Sequence, residues 1–249
     1  MCSSDLLYDI LSAAIPASEA LSVLDVSAKA AKAGLTDTGV AADAITTILN
    51  SYGMEAWRAK EVSDSLFETV LLGKTTFGQL APQIGLIAST AASAGVSLDE
   101  LSAAIATATR NTGRTDVSIT GLNMAISAFM KPTNEAIEAS QKFGFEMNTN
   151  TLRSIGLRGV LEKLRNATQE ELGAIFGNVR AIRVINPLIN DYTGFVSDLE
   201  KMYKKAGATQ GAYEKNTATL EHQFNMLKQA LILVLVDRKS TRLNSSHVS

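Results

Sequence analysis

Hydrophobic residues recur along this chain at the three- and four-residue steps that bring side chains onto one face of an α-helix. In the clearest stretch, steps of three, four and three residues join Leu98, Leu101, Ile105 and Ala108. Ser97 and Glu100 have the spacing of a capping box, in which two side chains satisfy free N–H groups at the start of a helix. Gly113 is suited to end the same helix. The pattern therefore predicts an amphipathic helix from about residue 98 to 112.

Similar signals divide most of the chain into helices. In chain order they are a stop at Gly34, a cap at Thr36-Asp37, a stop at Gly53, and capping boxes at Thr76–Gln79 and Thr168–Glu171. A further helix is predicted for about residues 56–72. No stretch has the strict alternation of apolar and polar residues that predicts a strand. The sequence thus predicts an all-α protein with a multi-helix bundle over residues 7–206.

The last part of the chain has a heptad pattern. Apolar positions alternate in steps of four and three, with one polar exception, at Tyr213, Thr217, Leu220, Phe224, Leu227, Leu231 and Val234. This spacing is typical of the seam of a coiled coil, so residues 207–236 are predicted to form a longer amphipathic helix. Two interpretations stay open: the start of a long coiled coil that self-associates, or an ordinary helix that packs on the bundle.

Both ends of the chain resemble translated sequencing adapter. Residues 237–249 back-translate to one strand of a common short-read adapter, and residues 1–6 to the opposite strand. We therefore expect neither stretch to be native. Their removal takes away Cys2, the single cysteine, and one of the two histidines. Residues 7–236 then contain no thiol for a disulfide or a cysteine–zinc site.

Composition narrows the classes of function. The formal net charge of −2 gives no electrostatic footprint for nucleic acid. The longest purely aliphatic run, 231–236, is far shorter than the roughly 20 apolar residues of a transmembrane helix. Neither nucleic-acid binding nor a membrane span is predicted.

One tripeptide is similar to the end of a phosphate-binding loop. Gly73-Lys74-Thr75 would need another glycine five residues earlier, so that backbone N–H groups could wrap a phosphate. Glu68 stands there, and its carboxylate would repel an anion. Gly73 is predicted to end a helix instead.

No other group is a convincing site for chemistry. His222 has no second histidine or cysteine to share a zinc ion, and it is predicted to be solvated. The carboxylates cluster at predicted helix starts, where they cap N–H groups, at Asp37, Asp99, Glu100, Glu170 and Glu171. We predict no catalytic residue, no cofactor-binding residue and no metal ligand, and hence not an enzyme.

A run of small residues at 85–96 allows two interpretations. Alanine, serine and glycine permit close approach between helices, which favours tight packing inside the bundle. The same composition also fits a segment that rearranges into a bilayer. A membrane-active, ejected helical protein or pore-forming module is therefore the alternative function.

Short motifs in a fixed order resemble the core region of phage tail tape measure proteins of the siphophage and prophage type. They are residues 73–80, 94–105, 112–114, 122–126 with 131–133, 138–145, 161–164 and 172–177. The resemblance runs from about residue 20 to 227. Each motif is short, and the match is carried by their order and spacing.

The resemblance implies a structural role in the phage tail. Members of the family are long helical proteins around which tail-tube subunits and tail assembly chaperones polymerise. Their length sets tail length, and they leave the tail when DNA is ejected. The resemblance therefore implies that the protein lies in the tail lumen of the virion, and in the host cytoplasm during assembly. It also implies that this core has no catalytic residues.

Overall fold

The protein is a stack of short α-helices. The computed structural model describes residues 3–219, 223–224 and 226–227, and no strand occurs among them. The all-α prediction is thus confirmed. In chain order the helices are α1 (Ser3–Ser12), α2 (Ala17–Gly34), α3 (Thr38–Tyr52), α4 (Ala59–Leu72), α5 (Phe77–Ala94), α6 (Leu98–Thr112), α7 (Thr115–Met130), α8 (Asn134–Gln141), α9 (Thr149–Lys163), α10 (Gln169–Phe176), α11 (Val179–Asn190) and α12 (Tyr192–Met202), with a 3-10 turn at Ala56–Arg58 before α4.

The predicted capping boxes form at two of their three positions. Thr76 and Thr168 each accept a hydrogen bond from the backbone three residues on, and the reciprocal bond is present in both. Ser97 also accepts from the N–H of Glu100, at 3.2 Å. The Glu100 carboxylate, however, does not return the bond, because it accepts from the N–H of Arg158 in α9. The box predicted at Ser97 is therefore wrong in its second half.

The end of α2 shows how packing decides a cap. Gly34 is the last helical residue, as predicted, but the left-handed residue is Leu35, with φ 51° and ψ 47°. Gly34 is needed for space, since a Cβ there would lie 2.6 Å from the Cβ of Phe77. The N–H groups of Leu35 and Thr36 both donate to the carbonyl of Ala31. The chain therefore accepts a leucine in a conformation that disfavours side chains by roughly 1–2 kcal/mol.

Helix α6 is the centre of the bundle. It contacts α4, α7, α11 and α12, and every residue from 101 to 109 is buried. A helix that is buried on all sides needs small side chains where neighbours cross it closely. Ala103, Ala104, Ala106 and Ala108 supply them. Helices α5 and α9 also contact α6, whereas α1, α2 and α3 pack on one another and on α4 and α5.

One face of the small-residue run is buried inside the bundle, whereas Gly85, Ser89 and Ser93 on the other face are exposed. Helix α5 lies against α3 and α7, and Ala88, Ala91 and Ala94 are fully buried. In the part of the chain that the structure describes, no single helix is long and apolar enough to cross a membrane. Asp5–Ser12 and Ala17–Gly34 are long and apolar enough only when taken together, and a bend of 119° separates them.

Candidate functional site: the junction with the C-terminal helix

A helix that begins directly after the bundle is anchored on α4. Residues 208–219, here called the C-terminal helix, are helical, as are 223–224 and 226–227. Asp64 of α4 is buried, and its two carboxylate oxygens accept from the N–H groups of Gly207 and Thr209, each at 2.9 Å. The hydroxyl groups of Ser63 and Thr209 lie 2.9 Å apart. An acidic side chain from another helix thus caps the start of the C-terminal helix, where free N–H groups and the helix dipole favour a negative charge.

Ion pairs hold the turn that precedes this helix. The Lys205 ammonium lies 2.6 Å from the Asp99 carboxylate and 4.0 Å from that of Glu61. Arg58 binds Glu61 through two nitrogens, at 2.8 and 2.9 Å. The hydrogen bond from Arg58 lowers the pKa of Glu61, and the charge of Lys205 lowers it further. The turn is therefore tied to both α4 and α6.

The first turns of the C-terminal helix lie on the bundle. Tyr213 packs against the core, and the Lys32 ammonium lies 5.2 Å from the centre of its ring. The side-chain amide of Asn216 donates to the carbonyl of Ala33 at the end of α2. These contacts match the interpretation of an ordinary helix that packs on the bundle. The domain boundary at 206/207 stays a prediction.

Farther along, the apolar seam is uncovered. Phe224 is 68% exposed and Leu227 is 58% exposed. Three other seam positions, Leu220, Leu231 and Val234, lie outside the described residues, as does His222. The coiled-coil interpretation therefore stays a prediction for this part of the chain.

A second polar cluster lies between α6 and α12. Arg110 donates to the Asp198 carboxylate and to the carbonyl of Leu72, both at 2.8 Å, and to Asp191 at 3.1 Å. Asp198 is buried and also accepts from the Thr107 hydroxyl at 2.7 Å. The ends of α4, α6 and α11 thus meet around one guanidinium group.

The predicted helix end at Gly73 is confirmed. Its N–H donates to the carbonyl of Thr69, and the next N–H, that of Lys74, donates to the Thr109 hydroxyl at 3.2 Å. A Cβ at Gly73 would lie 2.6 Å from that hydroxyl oxygen. Glu68 is inside α4, as expected for a helix that ends here. The Gly-Lys-Thr sequence therefore joins α4 to α6 and forms no phosphate-binding loop.

The predicted capping carboxylates have mixed outcomes. Glu171 caps α10 as predicted, but Asp37 makes no side-chain bond at the start of α3. Asp99 pairs with Lys205 instead. Within the described residues no group of three potential ligands could hold a metal ion. Sequence reasoning missed Asp64, although a carboxylate among the buried residues 62–67 departs from a purely apolar face.

In the part of the chain that the structure describes, helices form a bundle whose polar groups are largely engaged in caps and ion pairs. A sequence-family profile described as "Phage-related minor tail protein" matches residues 3–177, and the chain belongs to this family of phage tail proteins. It is also similar to a protein of Clostridium phage phiCD119 named "Probable tape measure protein", with 25% identity over 240 residues. That match covers 90% of this chain and 25% of the relative, so the chain spans about a quarter of the relative's length. No solved structure gives a significant match.

The family match ends before the bundle does. It stops at Gly177, whereas α11 packs on α7 and α12 packs on α6. Gly121 of α7 allows α11 to approach closely, because a Cβ there would lie 2.6 Å from the carbonyl oxygen of Arg180. The packed unit therefore includes residues beyond the part that the family shares.

Proposed function

We propose that this chain is the core of a tape measure protein, which templates tail-tube polymerisation and sets tail length. The observation that carries the proposal is the junction at Asp64, which fixes the start of a helix whose apolar seam is then uncovered at Phe224 and Leu227. The family match and the name of the phiCD119 relative support it. A helix rises about 1.5 Å per residue, so a helical chain can serve as a ruler.

Partners and location follow from the same proposal. The chain would lie in the tail lumen of the virion and, during assembly, in the host cytoplasm with tail-tube subunits and assembly chaperones. Trp57 and Tyr203 are exposed beside a groove of about 410 Å³ next to the junction. Exposed tryptophan and tyrosine are typical of binding hot spots. The uncovered seam adds a surface for self-association. No catalytic step is proposed for any residue.

Tail length tests the proposal. In the parent phage, an in-frame insertion of about 70 heptad-patterned residues after residue 219 is expected to lengthen tails by about 105 Å, measured by electron microscopy. The same DNA placed after the stop codon controls for genome length and should leave the tails unchanged. If the in-frame insertion leaves tail length unchanged, the proposal that this chain sets tail length is contradicted.

The membrane-active alternative has less support, because Ala88, Ala91 and Ala94 of the small-residue run are buried where α5 packs against α3 and α7. Dye release from vesicles tests it directly. The tape measure proposal expects the purified chain to release no more dye than a vesicle blank does. Strong release at micromolar protein would favour the alternative.

A further inference from the structure

Two glycines interrupt stretches that are otherwise helical. Gly207, with φ 89°, separates α12 from the C-terminal helix. Gly156, with φ 69° and ψ 178°, breaks α9 in its middle. Around Gly207 the break is short: Tyr203 still has helical angles, and the N–H of Lys204 donates to the carbonyl of Lys201. Only a few residues would have to change conformation to make each stretch continuous.

A carboxylate from another helix stabilises each break. Asp64 accepts from the N–H groups of Gly207 and Thr209, and Glu100 accepts from the N–H of Arg158 at 3.2 Å. A break in a helix creates N–H groups that have no partner within the helix, and a continuous helix has none at that point. The carboxylates therefore favour the broken forms over continuous ones.

The break at Gly207 falls on a glycine and not on a proline. No proline occurs in residues 192–219, and proline is the residue that a helix interior excludes most strongly. A Cβ at Gly207 would meet no atom within 4 Å, so there is space for a side chain and only the left-handed φ opposes one. The bend is thus held by contacts with α2, α4 and α6, and Asp64 is the group that binds the N–H groups at the break itself.

We propose that Gly207 is a hinge latched by Asp64, and that residues 192–219 become one continuous helix when the latch opens. Ser63 and Lys205 assist the latch through Thr209 and Asp99. In the opened form, α12 and the C-terminal helix are one continuous helix, about 42 Å long over residues 192–219. Its role in lengthening a ruler rests on the proposed function, whereas the hinge is a property of the chain alone.

Distances between spin labels test the hinge. In the full chain with Cys2→Ser, labels are attached at Thr193→Cys and Thr219→Cys, both at exposed positions. Asp64→Asn combined with Gly207→Ala removes the charged acceptor and the left-handed glycine. We expect a narrow distance near the 39 Å or so of a continuous helix, and a shorter distance in the chain that keeps Asp64 and Gly207. Asp25→Asn with Gly211→Ala, an exposed carboxylate and a glycine with open space around it, is the matched control and should keep the shorter distance.

Hydrogen exchange separates straightening from unfolding. The opened variant should gain at least tenfold protection at the amide of Ala206, while the amides of α6 stay protected. The neighbouring N–H groups of Lys205 and Gly207 already donate in the bent form, to the carbonyl of Met202 and to Asp64. Ser63→Ala is a milder variant for the case in which Asp64→Asn unfolds the bundle, and it should populate both distances. A broad distance distribution, or an unchanged one with α6 intact, would overturn the hinge. Tail length tests the proposed function and not the hinge. If residues 192–219 straighten but the insertion leaves tail length unchanged, the hinge is supported and the tape measure function is contradicted.

Discussion

Arg110 of α6 and Asp198 of α12 form an ion pair, with 2.8 Å between Nη1 of the guanidinium and Oδ2 of the carboxylate. The Asp198 side chain is 4% exposed, whereas that of Arg110 is 37% exposed. Asp198 lies beyond Gly177, where the family match ends, and Arg110 lies within the match. The pair therefore joins the shared part of the fold to the helices that follow it.

Asp198→Ala should destabilise the protein strongly. It leaves the Thr107 hydroxyl without its acceptor and Arg110 without its buried partner. We expect a loss of about 2–3 kcal/mol in the free energy of unfolding, measured by urea denaturation. Asp25→Ala removes an exposed partner of Lys29 and should leave that free energy unchanged within error. Equal effects of the two substitutions would contradict this account.

Gly121→Ala should loosen the packing of α11 on α7. The added methyl group would meet the carbonyl oxygen of Arg180 and the side chain of Val184. Overpacking of this kind costs about 1–3 kcal/mol, and thermal unfolding should show a lower Tm. Gly173→Ala in α10 is the control, because nothing lies within 4 Å of its added Cβ. A neutral Gly121→Ala would mean that α11 can move away without loss.

Leu35→Gly should stabilise the protein. Leu35 is 79% exposed and left-handed, so glycine removes the backbone strain and sacrifices little packing. We expect a gain of about 1 kcal/mol in urea denaturation. Gly34→Ala, one residue earlier, should do the opposite because its Cβ would collide with Phe77. If both substitutions destabilise, the left-handed strain at Leu35 is not significant.

Glu68 should make stability depend on pH. Burial raises the pKa of Glu68 above its ordinary value of 4.5, and the nearby charge of Asp198 raises it further, against the opposing charge of Lys201. The folded state then holds the proton more tightly than the unfolded state, so stability falls as pH rises from 4.5 through the folded pKa.

Glu68→Gln removes this titration. It should raise Tm at neutral pH and have little effect on Tm below pH 4.5. Glu200→Gln, at an exposed position of α12, is the matched control for the loss of one carboxyl group. A Glu68→Gln effect that is the same at both pH values would show that the carboxyl group is not desolvated.

Sequence patterns predict a helix end correctly where that end depends only on residues within a few positions along the chain. Thr76 and Thr168 cap their helices with the residues three positions on, and Gly73 ends α4. The prediction failed where another helix competes for the same group. The Glu100 carboxylate accepts from the N–H of Arg158 in α9 and not from the N–H of Ser97. The spacing of residues along the sequence does not show which group from a distant helix will pack against a given side chain.

The sequence by itself determined that the chain is helical and where several helices begin and end, including the end of α4 at Gly73, since these depend on periodicity and on residues within one turn. Only the tertiary structure decided the roles of Asp64 and Asp198. Both are acidic residues in the middle of helices, and their partners lie more than eighty residues away along the chain. A buried carboxylate is stable only where donors converge on it, and that convergence exists only after the helices have packed.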